Sequence, residues 1–263
     1  MVQTLYLSLA IFLALIFGMF LFLEIGRVLG KRREINELRR ARQGITVMEG
    51  AVFTLMGLLI SFTFYAANMR FDARRQLIID EVNAVGTAYL RIDLLPSSAQ
   101  EPMRNDFRHY LDARIAAYDK LSALNPARAE FEQANKLQTI IWNHALVAMH
   151  QDTDGNTVPS MLLLPALNNM FDVANARTLA GTFHMPALVL LLLIALTFTS
   201  AVLAGYDMAT SRKRSTVHVA GFILIVGVTV YTIMDFEFPR LGLIVLRPYH
   251  QSLVDLRDNI LHR

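Results

Sequence analysis

Four stretches of this chain are apolar almost without interruption: residues 5–23, 50–69, 185–206 and 217–234. Each is roughly 18–22 residues long, enough at 1.5 Å per residue to cross about 30 Å of hydrocarbon. One such run fits a buried core helix; four in one chain predict an integral membrane protein. The segment between the second and third runs, 70–184, changes to apolar positions spaced by three and four. Ile78, Val82, Val85, Tyr89 and Ile92 make one stripe; Met103, Phe107, Tyr110, Leu111, Tyr118 and Leu121 make a second. Phe131, Ala134, Leu137, Ile141 and Ala145 make a third. Alternation of strand type is absent.

Helix punctuation follows the stripes. Leu95-Pro96 breaks the first helix, and Ser98-Ala99-Gln100-Glu101 reads as a capping box with Pro102 in the first turn. Asn125-Pro126 reads as a second cap and start, and Asp152-Thr153-Asp154-Gly155-Asn156 as a turn. A helix over about 160–183 then leads toward the third span, with Pro186 restarting the backbone. The expected fold is all-α: an integral membrane protein of four transmembrane helices, with a helical extramembrane domain inserted between helices 2 and 3. The divisions are 1–69, 70–184, 185–236 and a tail, 237–263. The second span runs without a break into Arg70-Phe71-Asp72-Ala73-Arg74-Arg75, so one rod leaves the bilayer carrying an arginine cluster.

Of 263 residues, 54% are apolar and 18% charged, against about 25% charged in soluble domains. No basic residue precedes the first span and no small-x-small site closes it, which is unlike a cleaved signal peptide. Orientation is read from basic residues near span ends. Arg27, Lys31, Arg32, Arg33, Arg39, Arg40 and Arg42 lie in the first short loop, and Arg212, Lys213 and Arg214 in the other. Residues 70–184 carry 11 Lys/Arg against 13 Asp/Glu, a net −2. This count places the short loops in the cytoplasm, with the helical domain and termini outside. The basic loop also suits anionic lipid head groups, although topology alone accounts for it.

Candidate chemistry is thin. With no cysteine, disulfides and thiolate chemistry are excluded. His144 and His150 sit about 120° apart around a helix and read as structural. Asp154-Gly155-Asn156 lacks the closing glutamate of a calcium loop. No phosphate-loop, dinucleotide or nucleophile-elbow motif occurs. No catalysis, metal, cofactor or nucleic-acid partner is expected. Asp235 and Glu237, where the fourth span meets water, read first as solvated interfacial carboxylates; the alternative is a ring at a pore mouth. Gly50, Gly57 and Ser61, with Gly221 and Gly227, suit close helix packing. Thr54, Ser61, Thr63 and Asn68 are placed to bond back to preceding carbonyls.

The block Gly57-Leu58-Leu59-Ile60-Ser61-Phe62, followed by Arg70-Phe71-Asp72-Ala73-Arg74-Arg75, resembles the second membrane helix of bestrophins. With Glu81-Val82-Asn83-Ala84, Thr87-Ala88-Tyr89-Leu90-Arg91 and the closing run Asp235-Phe236-Glu237-Phe238-Pro239-Arg240-Leu241-Gly242-Leu243-Ile244, the chain is more closely similar to a bacterial bestrophin-like membrane family. Bestrophins are pentameric anion channels whose second helices line an apolar neck. The resemblance therefore implies a homo-oligomer, a pentamer by analogy, in a bacterial inner membrane, with the lipid bilayer, copies of itself and inorganic anions as partners. Carried over by the Phe-to-Arg spacing, the pore-lining positions are Thr54, Leu58 and Phe62. Arg70, Arg74 and Arg75, with Asp235 and Glu237, would charge the mouth. Thr54 departs from the apolar pattern, and Phe71 and Asp72 replace a tryptophan pair. The resemblance also implies a cytoplasmic helical domain, opposite to the charge count. A reading of a different class stays open: a non-conducting membrane-anchored sensor or scaffold whose helical domain binds a partner or ligand.

Overall fold

In a computed structural model, residues 2–33, 39–122, 125–150, 157–209, 216–239, 242–244 and 246–261 are described. The expected turn at 152–156, the basic cluster Arg212, Lys213, Arg214, and Arg240 lie outside them. So do the side chains of Arg33, Arg39, Arg40 and Arg42.

The fold is all-α. In chain order the helices are α1 (Val2–Arg33), α2 (Arg39–Leu90), a 3₁₀ turn (Arg91–Leu94), α3 (Ser97–Ser122), α4 (Arg128–His150), α5 (Val158–Ala180), α6 (Ala187–Met208), α7 (Thr216–Glu237) and α8 (Arg247–Leu261). No strand occurs among the described residues. Four of the helices, α1, α2, α6 and α7, are long and apolar enough to cross a membrane. At 52 residues, α2 is far longer than the roughly 20 a bilayer needs. The chain divides into two units, one of 2–71 and 184–244, the other of 72–183 and 245–263.

The first unit holds α1, α6, α7 and the first part of α2. Its core is Leu15, Met19 and Leu23 with Met56, Ala67, Leu193, Ala201, Val230 and Ile233. Lipid is as apolar as leucine, so close packing, more than the hydrophobic effect, must hold such helices together. The structure puts the closest backbone approach on α1 and α6, away from Gly50, Gly57 and Gly221. A Cβ on Gly26 would lie 1.9 Å from the Val202 carbonyl oxygen, and one on Gly205 would lie 1.9 Å from that of Leu23. Gly50, Gly57 and Gly221, in contrast, have open space on that side, while Gly227 does meet Ile16.

The second unit is water-type packing. All three sequence stripes enter it: Val85, Tyr89 and Ile92 meet Phe107, Tyr110 and Leu111, with Ala134, Ile141 and Ala145 behind them. Complete burial of each large side chain is worth about 1.5–3 kcal/mol. Leu163, Leu167 and Met170 of α5 and Leu253 and Ile260 of α8 close the core. No helix was expected in the tail, and α8 is a finding of the structure.

Two helix starts differ from the sequence reading. α3 begins at Ser97, so Ser98 lies inside the first turn and Pro102 falls in the second. The amide of Ala99 bonds Pro96 O at 2.9 Å, and Gln100 turns back to Leu95 O at 2.8 Å, so the capping box does not form. Glu101 meets Arg108 instead, at 3.2 Å. In α4 the start moves past Asn125-Pro126, with Ala127 O accepting the amide of Phe131 at 3.1 Å.

Candidate functional site

Thr54, Leu58 and Phe62 are spaced by four and so fall within about 80° of arc on α2. All three point away from their own unit: Leu58 is 50% and Phe62 64% exposed, and Thr54 is exposed as well. Met56, Thr63 and Ala67 on the opposite face are buried. Three hydroxyls in the apolar part of this helix are internally satisfied. Thr54 Oγ1 donates to Gly50 O at 2.8 Å, Ser61 Oγ to Gly57 O at 2.9 Å and Thr63 Oγ1 to Leu59 O at 2.7 Å. The outward stripe therefore presents methyl, leucyl and phenyl surface with little free hydrogen-bonding capacity.

The charged residues near the end of the apolar run are committed to structure. Arg70 Nε donates to Glu237 Oε2 at 2.9 Å, and the amide of Met185 donates to Glu237 Oε1 at 2.6 Å. His184 Nδ1 lies 3.5 Å from the same carboxylate. One glutamate thus joins α2, α7 and the entry to α6. Asp235 Oδ2 accepts the amides of both Leu243 and Ile244 at 3.0 Å. A Cβ at Gly242 would overlap Asp235 Oδ1 at 1.3 Å, so the backbone folds tightly over the carboxylate. Asp235 also borders a recess of about 30 Å³ with Ser8, Tyr231 and Phe238, room for about one water. Asp235 and Glu237 are 5% and 3% exposed, which corrects the reading of solvated interfacial groups. Amide donors replace water at Glu237 Oε1 and Asp235 Oδ2, as burial of a carboxylate requires, while Asp235 Oδ1 is buried with no hydrogen-bond partner among the described residues.

In the second unit, Arg74 is buried and donates to Ala180 O at 3.1 Å and Phe183 O at 2.6 Å. These carbonyls lie at and just past the C-terminal end of α5, a position that favours a cation. Arg75 pairs with Asp72 one turn back, at 3.2 Å. His144 meets Asp106 at 2.6 Å on the surface, and His150 faces the carbonyl of Leu146 in its own helix.

The sequence reading missed a buried ionic cluster in this unit. Glu81 has no exposed surface and receives Arg114 Nε at 2.7 Å on one oxygen and Arg177 Nη1 on the other. Arg114 also donates to Tyr118 Oη at 2.8 Å, Thr178 Oγ1 at 3.1 Å and Ala174 O at 3.1 Å. Burial would lower the basicity of Arg114, but the charge of Glu81, with Tyr118 and Tyr110, more than offsets it, so Arg114 stays a cation. Burial, then the Glu81 charge, pushes the Tyr118 phenol up, so it stays neutral. A glutamate interrupting the Ile78–Val85 stripe was the signal available in the sequence. Two arginines 33 and 96 residues away could not be matched to it without the fold.

No protein-family model and no curated protein matches this sequence. The fold does match solved structures. Three are single-site variants of a bacterial bestrophin homologue from Klebsiella pneumoniae. The first is 13% identical with a TM-score of 0.67, covering 94% of this chain and 99% of that one. The second is 14% identical with a TM-score of 0.66, covering 95% and 98%. The third is 15% identical with a TM-score of 0.64, again covering 95% and 98%. The distant resemblance to bestrophins read mainly from span two thus holds at the level of the whole fold.

Proposed function

We propose that this chain, folded as bacterial bestrophin homologues are, works as a homo-oligomeric passive channel for inorganic anions, with α2 of each subunit facing the pore. The observation that carries this reading is the outward stripe of α2. Thr54, Leu58 and Phe62 turn away from their own unit, Leu58 half and Phe62 nearly two thirds exposed. Repeated around a symmetry axis, Leu58 and Phe62 would form an apolar constriction that gates by dewetting, with Thr54 one turn away as its polar end. No group on this stripe binds an ion strongly, as a conducting path requires.

The mouth is less cationic in this proposal than three free arginines would make it. Arg70 faces Glu237 and Arg75 faces Asp72, so much of their field is cancelled at short range. Anion preference would then rest on the weaker residual field, including Arg74, and on desolvation in the neck. The protein would sit in a bacterial inner membrane.

Recordings of purified protein in planar bilayers test the reading. Anion current that rises when Leu58→Ala or Phe62→Ala widens the neck is the expected result. An intact oligomer that passes no current across a range of ions and pH would sink the channel. Unchanged conductance in both variants would remove α2 from the pore.

A further inference from the structure

We propose that His250 is a proton-operated latch: its neutral ring fastens the first turn of α8 to the buried arginine cluster, and its protonation releases that helix. The latch lies within the second unit and does not depend on the channel reading.

The hydrogen bonding fixes the state of the ring. Arg177 Nη2 lies 2.5 Å from His250 Nδ1. A guanidinium only donates, so Nδ1 must offer its lone pair and the imidazole must be neutral with its proton on Nε2. The same ring stacks on Tyr118, with centroids 5.2 Å apart and planes 15° from parallel. Arg177 holds the ring of Tyr118 as well, its guanidinium carbon 3.6 Å from the centroid. The amide of His250 bonds Leu246 O at 3.3 Å, so the histidine occupies the first turn of α8, at the positive end of the helix dipole.

Among the described residues, the charged and titratable groups of the cluster beside this ring include Arg177 of α5, Arg114 and Tyr118 of α3, and Glu81 of α2. One carboxylate serves two guanidinium groups, and Tyr118 is neutral, so the cluster already carries an excess positive charge out of water. A proton on Nδ1 would abolish the Arg177 hydrogen bond, add a second excess charge beside it and place a cation at a helix N-terminus. All three effects oppose the docked state. The sign is therefore definite. Docking of α8 is complete when the ring is neutral and is lost as pH falls below the ordinary histidine range, about pH 6.5. The rest of α8 is held by Leu253 and Ile260 in the core, by Arg257 against Asp112 at 3.3 Å, and by Tyr89 Oη at 3.4 Å from Ile260 O. Release would expose that apolar face and vacate the Tyr118 ring.

Hydrogen exchange on the full-length protein in nanodiscs reads the latch directly. Between about pH 8 and about pH 5, corrected for intrinsic rates, amides of 251–261 should lose protection by about tenfold or more relative to those of α4. His250→Gln and His250→Phe, both uncharged, should keep α8 protected across that range. A wild-type protein whose α8 protection does not change overturns the proposal. So does a neutral variant that is docked at pH 8 and loses protection in parallel with wild type. As a second measurement, the NMR titration of the His250 ring should share its midpoint with the loss of protection. A midpoint displaced by more than about one pH unit also overturns it.

Discussion

At the residue scale, a single glutamate decides whether the second unit can form. Glu81 lies on a stripe that otherwise buries Ile78 and Val85, and it survives there because two guanidinium groups reach it. Removing one partner of a buried ion pair leaves the others unpaired and costs about 3–5 kcal/mol, more than the pair itself is worth. Glu81→Gln should therefore lower unfolding stability by about that amount in a denaturant titration in detergent. A loss below about 1 kcal/mol would mean that water reaches the cluster. Gly205 makes the same kind of demand by shape. Gly205→Ala places a methyl group 1.9 Å from the Leu23 carbonyl, so α1 and α6 must separate and stability must fall. Gly57→Ala, with nothing within 4 Å, should fold normally. Equal thermal stability of the two variants would refute the close approach.

At the element scale, α2 shows how far pattern reading reaches. Its apolar stretch, its continuation past Arg70 and the stripe to Ile92 were all legible, because a membrane span and an amphipathic helix differ in composition while sharing one period. Leu58→Ala and Phe62→Ala are tests of this element: they should raise conductance while leaving the fold intact, since neither side chain is buried within its own unit. Element ends were less legible. The start of α3 moved to Ser97, where the Pro96 carbonyl accepts the amide of Ala99, while the Gln100 side chain donates back to the Leu95 carbonyl. The helix α8 was not legible at all. Only five of its fifteen residues are leucine, isoleucine or valine, and it finds its partners only when Gly86, Tyr89 and Asp112 of distant helices are brought to it.

At the scale of the whole molecule, assembly and orientation follow from different forces. A ring of subunits is what turns an outward stripe on α2 into a pore, so particle symmetry in the electron microscope is a direct check. A ring supports the channel, whereas a dimer lacking current favours a non-conducting sensor or scaffold. Orientation depends on basic residues near span ends, which resist translocation. By the charge count the ten Lys/Arg of the two short loops would lie in the cytoplasm, and a phosphatase fused after Arg263 should then be active outside the cell membrane. An inactive phosphatase fusion together with a fluorescent C-terminal fusion would reverse that assignment.

By itself the sequence determined the all-α class, the four membrane-length runs and the stripes that become the core of the second unit. These are properties of composition and period, which act over neighbouring residues and need no partner. It also carried the positions on α2 that the proposed neck uses. The tertiary structure decided where charges end. Asp235 and Glu237 read as solvated groups until backbone amides more than forty residues distant, as at Met185, or just beyond the helix, as at Leu243 and Ile244, were seen to replace water. The same holds for Arg74 on the carbonyls at the end of α5 and for His250 on Arg177. A charge is buried or free according to what faces it across space, and one chain read in order does not contain that distance.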